Sequence, residues 1–262
     1  MSSEDNKRSK DKTSKDKFYL YWLNDSRAHR ILWTLEILKL DYEVEIHLRD
    51  PETFRCDTMF DIHQLGKAPM LKIIFADGSE PLFLLESGLI MQYLLKHYDP
   101  ENILNPEKEA DKLRVDYYLH YSEGTLQHLQ ISILINSVAK KIAPIGLKYL
   151  AKVFGKGLNN GYYIHEWRLN LEYLEKKLKE EGTGYFIGDK LTAADIILSF
   201  PVMENVFDNE YQIHKLIYDD RSLTKQYPNL AQWSLMIKNN ALYSKITQVM
   251  NALVEEKKRS SQ

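Results

Sequence analysis

The spacing of apolar and polar residues changes several times along this chain, and each change marks an element. Residues 18–22 are aromatic and aliphatic and follow abruptly on a charged segment, which predicts a first strand. Asn24-Asp25-Ser26 is a polar turn. From 27 to 40 the apolar residues Ile31, Leu35 and Leu38 recur at helical spacing beside Leu32 and Trp33, the pattern of an amphipathic helix. The period then drops to two: Tyr42, Val44, Ile46 and Leu48 alternate with Glu43, Glu45 and His47, as in a half-buried strand. Residues 49–65, with Pro51 and no clear period, predict an irregular segment with room for one short helix.

The stretch 66–87 organises what surrounds it. Residues 70–75 and 81–85 are apolar runs separated by Asp77-Gly78, a pair suited to the positive φ of a tight hairpin turn. Pro69 opens the first of these strands and pushes Ala68 into an extended conformation, leaving the Ala68 backbone free to pair with something else. Glu86-Ser87 stands where strand turns into a helix over 88–97, with Ser87 as the natural N-cap. A helix start also attracts a carboxylate, through its unpaired N–H groups and its dipole. An extended backbone at one end and an anion site beside an acid at the other suit a small zwitterionic peptide; an ordinary hairpin and capped helix would carry the same residues. The order strand, helix, strand, loop, strand, strand, helix gives a parallel crossover unit plus an antiparallel pair. With a proline opening the third strand, this is the order of the thioredoxin fold, and the Ala68-Pro69 bond is expected to be cis.

Residues 98–106, with Asp99-Pro100 and Asn105-Pro106, predict a linker, and everything beyond reads as helix. Residues 107–137 carry Leu113, Tyr117, Tyr121 and Leu126 at helical intervals, broken by Gly124. Tyr117 and Tyr121, spaced four apart, either pack within the domain or line a cleft for an apolar substrate. Residues 140–157 are basic and amphipathic, with lysines that face either solvent or an anionic membrane surface. Ile164, Trp167, Leu171, Leu174 and Leu178 define a core helix ending at Gly182 and Gly184; the glycines up to Gly188 lack the spacing of a phosphate-binding loop. Thr192-Ala193-Ala194-Asp195 forms a capping box, with Leu191 and Ile196 placed as a hydrophobic staple. Residues 205–226 predict a long polar connection, and Tyr227-Pro228 starts a final helix carrying Trp233 and Ile237. The charged residues after Val254 predict a frayed tail.

Composition narrows the class. The length of 262 residues allows two modest domains, and a net charge of −2 leaves no whole-chain footprint for nucleic acid. The single cysteine, Cys56, excludes an intramolecular disulfide and points to a reducing, cytoplasmic setting. The tail over 1–17 is charged, without the apolar core of a secretory signal, and predicts disorder. Asn24-Asp25-Ser26 therefore matches a glycosylation acceptor in letters only, and 131–139 is far too short to span a bilayer. A thiol-disulfide reductase would need a cysteine in the first turn, where Ser26 stands; Cys56 reads as a buried thiol.

Ser26-Arg27-Ala28, Arg30-Ile31-Leu32-Trp33, Gly66-Lys67-Ala68-Pro69, Glu86-Ser87 and Leu191-Thr192-Ala193-Ala194-Asp195 occur together in one order, and in this the chain resembles the glutathione transferases. It is most similar to fungal and bacterial members with Ser-Arg before the first helix. It departs from them at Ala68, where valine is usual, and at His63-Gln64, where Asn-Pro is usual. The resemblance implies an α/β thioredoxin-like glutathione domain over 18–98, a linker over 99–106, an all-helical domain over 107–254 and a tail over 255–262, usually as a homodimer with a hydrophobic substrate site against the helical domain. It implies glutathione as co-substrate, no metal, and conjugation of hydrophobic electrophiles or reduction of organic hydroperoxides in detoxification and stress response; the alternative is a binding or regulatory protein that keeps the fold. By the same resemblance Ala68 pairs its backbone with the cysteinyl part, Glu86 takes the γ-glutamyl ammonium, Ser87 the adjoining carboxylate and Lys67 the glycine end. Two hydroxyls are candidates to activate the thiol: Ser26, preferred, and Tyr21.

Overall fold

The computed structural model describes residues 16–50, 53, 55–208 and 223–260. By contacts the chain divides into a first unit, Met1–Lys108 with Asn239–Gln262, and a second unit, Glu109–Lys238. In the first, β1 (Lys17–Leu23), α1 (Ala28–Ile37), β2 (Tyr42–His47), β3 (Met70–Ile74), β4 (Leu82–Leu85) and α2 (Ser87–Tyr98) follow in chain order. The sheet order is β2-β1-β3-β4, β1 running parallel to β2 and antiparallel to β3, the arrangement of the thioredoxin fold. Phe18 sits opposite Tyr42 on one side and Ile73 on the other. Phe18, Leu20 and Trp22 are buried on one sheet face, as a period of two requires. Tyr42, Val44 and Ile46 are only half-buried, because β2 is an edge strand.

The fold begins earlier than the charge pattern suggests. Asp16 is buried, and its carboxylate accepts hydrogen bonds from the Tyr98 hydroxyl and the Ala76 N–H, both at 2.8 Å. Lys17 already belongs to β1. The rest of the expected tail, 1–15, lies outside the described residues. The expected linker is ordered by Asp99, whose carboxylate accepts the N–H groups of Ile103, Leu104 and Asn105.

In the second unit α3 (Glu109–Tyr121), α4 (His128–Ile142), α5 (Lys148–Leu158), α6 (Ile164–Glu181), α7 (Ala193–Leu198), α8 (Leu223–Gln226) and α9 (Pro228–Lys238) are joined partly by π-helical stretches, Ser122–Gln127, Asn159–Tyr163 and Ser199–Phe207. Trp167, Leu171, Leu174 and Leu178 on α6 are buried, as their spacing predicts. On α3 the buried face is Val115, Tyr118 and Leu119, whereas Leu113 is 71% exposed and Tyr117 44%. Both faces of that helix carry apolar residues, so periodicity alone selected the wrong stripe.

Residues 205–207 also depart from expectation. They continue a buried helix, and Asn205 Nδ2 donates to Gln130 Oε1 at 2.9 Å. The remainder of the expected connection, 209–222, lies outside the described residues.

A further helix, α10 (Ala241–Ser260), includes residues 255–260, which the charge pattern assigned to a tail. It starts on Asn240, whose side-chain oxygen accepts the N–H groups of Leu242 and Tyr243. Its buried residues Tyr243, Ile246, Met250 and Val254 step by three and four, and it packs on α1 and β2 within the first unit. Tyr243 meets the rings of His29 and Trp33 edge-on, at 5.2 and 5.0 Å. His29 Nε2 and Thr247 Oγ1 are hydrogen-bonded at 2.9 Å, and Lys257 Nζ donates to the Ile46 carbonyl. Residues 239–254, expected in the helical domain over 107–254, thus belong with the sheet unit rather than with 109–238.

Candidate functional site

The residues singled out in the first unit gather where β1 gives way to α1, β3 begins and α2 starts. The Ala68-Pro69 bond is cis. The ladders start one residue later, Met70 pairing with Tyr21 on one side and Leu85 on the other, so Ala68 stands just ahead of them. Gly66, at φ +53°, leads into this segment. A Cβ there would fall 2.8 Å from the exposed Phe60 ring, which could move aside, so it is the positive φ that calls for glycine. Lys67 is exposed.

The cap of α2 falls one residue earlier than expected. Glu86, not Ser87, holds the cap position of α2, at φ 69° and exposed, and its side chain makes no cap hydrogen bond. Ser87 is the first helical residue and is buried, its hydroxyl oxygen accepting a hydrogen bond from Arg30 Nη2 at 3.1 Å. The positive φ of Glu86 turns the chain sharply into the helix and carries Ser87 inward, where it meets α1. Arg30 is 1% exposed, so a buried guanidinium lies beside a helix start whose first turn holds no acid. Guanidinium charge and partial positive N–H charge together favour an anion. Sequence reasoning noted Arg30 only as part of a motif; its position four residues after Ser26 was the available signal.

Ser26 is buried in the first turn. Its hydroxyl donates to the Leu23 carbonyl at 2.6 Å, and its oxygen accepts the Ala28 N–H at 3.2 Å. Asn24 holds this turn from behind: its side-chain oxygen accepts the Arg49 N–H at 2.7 Å, and its carbonyl accepts Arg49 Nε at 3.1 Å. Tyr21, half-buried, packs with Ala68 against Leu23, Cys56, Met59 and Met70. Burial first, then the charges of Glu45 and Tyr19, raise its phenol above the ordinary value, so it stays a neutral donor. Cys56 is buried in that cluster, with Sγ 3.3 Å from Thr58 Oγ1, itself 2.7 Å from His47 Nδ1. Among the described residues no three His, Cys, Asp or Glu side chains are grouped to hold a metal.

In the second unit Tyr117 stacks on Tyr121 at 5.4 Å, and Tyr121 donates its hydroxyl to Asn170 Oδ1 and meets the Tyr173 ring at 5.9 Å. The pair joins α3 to α6. At the start of α7, Asp195 is fully buried and accepts four hydrogen bonds, from the Phe186 N–H, Trp233 Nε1, and the Thr192 N–H and hydroxyl. Burial raises its carboxyl and these donors oppose the rise. The expected capping box is present.

Fold and corner together put the chain among proteins that join a thioredoxin-like domain to a helical one. Residues 26–97 match the model of the glutathione S-transferase N-terminal domain and 159–241 that of its C-terminal domain, together more than half of the sequence. The chain belongs to the glutathione S-transferase family. Glutathione S-transferase 1 of Saccharomyces cerevisiae is 29% identical over 235 residues, which take in 89% of this chain and 95% of that one. A glutathione S-transferase from Actinobacillus pleuropneumoniae has a TM-score of 0.66 and 28% identity, with 89% of this chain and 93% of that chain covered. A glutathione transferase homolog from Lodderomyces elongisporus, solved with two GSH per subunit, has a TM-score of 0.65 at 23% identity, covering 89% and 98% of the two chains, and attests the fold alone.

Proposed function

We propose that this chain binds reduced glutathione at the corner formed by Lys67, Ala68, Glu86 and Ser87 and transfers it to hydrophobic electrophiles, with organic hydroperoxides as further substrates. The observation that carries this reading is the start of α2, where the Glu86 side chain makes no cap hydrogen bond and buried Arg30 reaches Ser87. A carboxylate seated there meets helix N–H groups, and the exposed Glu86 carboxylate is one residue away for an adjoining ammonium. The extended segment before cis-Pro69 suits antiparallel pairing with a peptide, which presents its cysteinyl sulfur toward the β1–α1 turn. Lys67 supplies the positive charge for the glycine end.

Conjugation needs the thiolate, a few per cent of a free thiol with pKa near 8.5 at neutral pH. Lowering that pKa by ~2 units takes ~3 kcal/mol of preferential stabilisation, within reach of one good donor beside a helix start. Ser26 reaches sulfur only if its hydroxyl exchanges the bond to Leu23; Tyr21 keeps a neutral phenol in the same corner. This bond favours a second reading, a glutathione-binding protein without turnover, which an assay with a chloronitrobenzene electrophile separates from the first.

The binding proposal is tested by titration calorimetry with glutathione. The double variant Glu86→Ala, Ser87→Ala is expected to bind at least about tenfold more weakly than the wild type, a loss of about 1.4 kcal/mol. Unchanged affinity would place the site elsewhere.

A further inference from the structure

α4 and α5 form a hairpin joined through the short turn Ile145–Leu147, with Gly155 set against the α4 backbone. A Cβ on Gly155 would fall 2.2 Å from the Asn136 carbonyl oxygen, so only glycine fits. One turn on, Asn159 Nδ2 donates to the Ile133 carbonyl, and its side-chain oxygen accepts Asn136 Nδ2. Where α5 and the residue after it meet α4, the side chains are small or polar: Gly155 and Asn159. The large apolar side chains point the other way. Tyr149 is 80% exposed and Phe154 66%, with Leu150 beside them, and the turn adds Ile142, Ile145 (87%) and Leu147. A surface helix ordinarily turns its apolar stripe to the core; α5 does the reverse.

Charge says what this face fits. Between Glu123 and Glu166 there is no Asp or Glu, in a chain with 37 of them, while Lys140, Lys141, Lys148, Lys152 and Lys156 lie in that interval. We propose that the α4–α5 hairpin docks on an anionic lipid bilayer surface, its apolar side chains entering the boundary between headgroups and acyl chains and its lysines meeting the headgroup charge. Interfacial helices carry this combination of an apolar face flanked by lysines, and the attraction comes from buried apolar area together with charge. An apolar patch of this extent marks an interaction surface. A second copy seated hairpin to hairpin would bring five more lysines and no acid from this segment to the contact, which like-charge repulsion opposes. Neither helix is long and apolar enough to cross a membrane, so the hairpin lies on the surface.

The test is co-sedimentation of the full chain with vesicles of phosphatidylcholine alone and vesicles containing about a third phosphatidylserine. The wild type is expected in the pellet with the anionic vesicles at low salt, in the supernatant with the neutral ones, and released as salt rises. The exposed substitutions Ile145→Ser with Phe154→Ser, and separately Lys152→Glu with Lys156→Glu, should each weaken binding at least about tenfold while thermal unfolding stays as in the wild type. Wild-type protein that stays in the supernatant at low salt overturns the proposal. So does an Ile145→Ser, Phe154→Ser variant that still sediments but has changed from dimer to monomer by light scattering, since a second copy would then cover the face.

Discussion

At the start of α7 the chain closes its own helix: Asp195 accepts hydrogen bonds from Thr192, Phe186 and Trp233, all of them buried. At the start of α2 Glu86 is turned outward at φ 69°, its side chain makes no cap hydrogen bond, and the buried Ser87 hydroxyl receives Arg30. The same local feature, a helix N-terminus carrying both an acid and a hydroxyl residue, serves opposite ends. Where the acid folds inward it satisfies donors that water cannot reach, and removing it disturbs the core. Where the acid faces solvent, its carboxylate leaves the helix start uncovered, and the buried hydroxyl beside it is bonded to Arg30.

Asp195→Ala is the strongest way to break this contrast. Three buried N–H donors from separate segments would lose their acceptor, and the variant should be destabilised by about 3–5 kcal/mol, read from the midpoint of urea unfolding. A loss under about 1 kcal/mol would mean that the closed helix start is not a folding device.

The open corner has a sealed rear of its own, where α1 meets α10. There burial lowers the His29 imidazole to about 4. An unfolded histidine titrates near 6.5, so the folded state binds fewer protons in the window between those values. Stability should be complete above about pH 6.5, fall by about 3 kcal/mol as pH drops towards 4, and level off below that. His29→Gln, which cannot titrate, should flatten this slope; an unaltered slope would assign the acid sensitivity to other groups.

Ser87→Ala tests the buried hydroxyl alone. Its loss should cost about 1–2 kcal/mol of stability, because the Arg30 guanidinium gives up a buried acceptor, and should weaken glutathione binding severalfold in calorimetry. Weaker folding with intact binding would move Ser87 to the structural side of the comparison.

Glu86→Gly carries the smallest effect on stability and the sharpest on the contrast. Glycine relieves the positive φ but loses more entropy on folding, so stability should hold or rise by up to about 1 kcal/mol while glutathione affinity falls. A destabilised variant with full affinity would show that the outward acid supports the fold instead of the ligand.

Much of this was legible because the signals are local. The period of two in Tyr42, Val44 and Ile46, the break at Asp77-Gly78 and the spacing of Trp167, Leu171, Leu174 and Leu178 are relations among residues a few positions apart, and strand or helix geometry turns each directly into a face. The same holds for Thr192 with Asp195, three positions apart in one helical turn. The sequence also brought Ser26, Lys67, Ala68, Glu86 and Ser87 to notice, as short motifs beside predicted element ends. By itself it determined the succession of strands and helices from β1 to α2, and hence the thioredoxin-like order of the first unit.

Only the tertiary structure decided which partner each side chain takes. Arg30 reaches Ser87 across 57 positions, and His29 meets Thr247 across 218. No period encodes such separations, because the choice depends on how packed elements meet. The same physics returned α10 to the sheet unit and chose Val115, Tyr118 and Leu119 over Leu113 and Tyr117 as the buried face of α3. Periodicity states that a helix has an apolar stripe; when two stripes compete, the larger contact available to one of them settles which is covered.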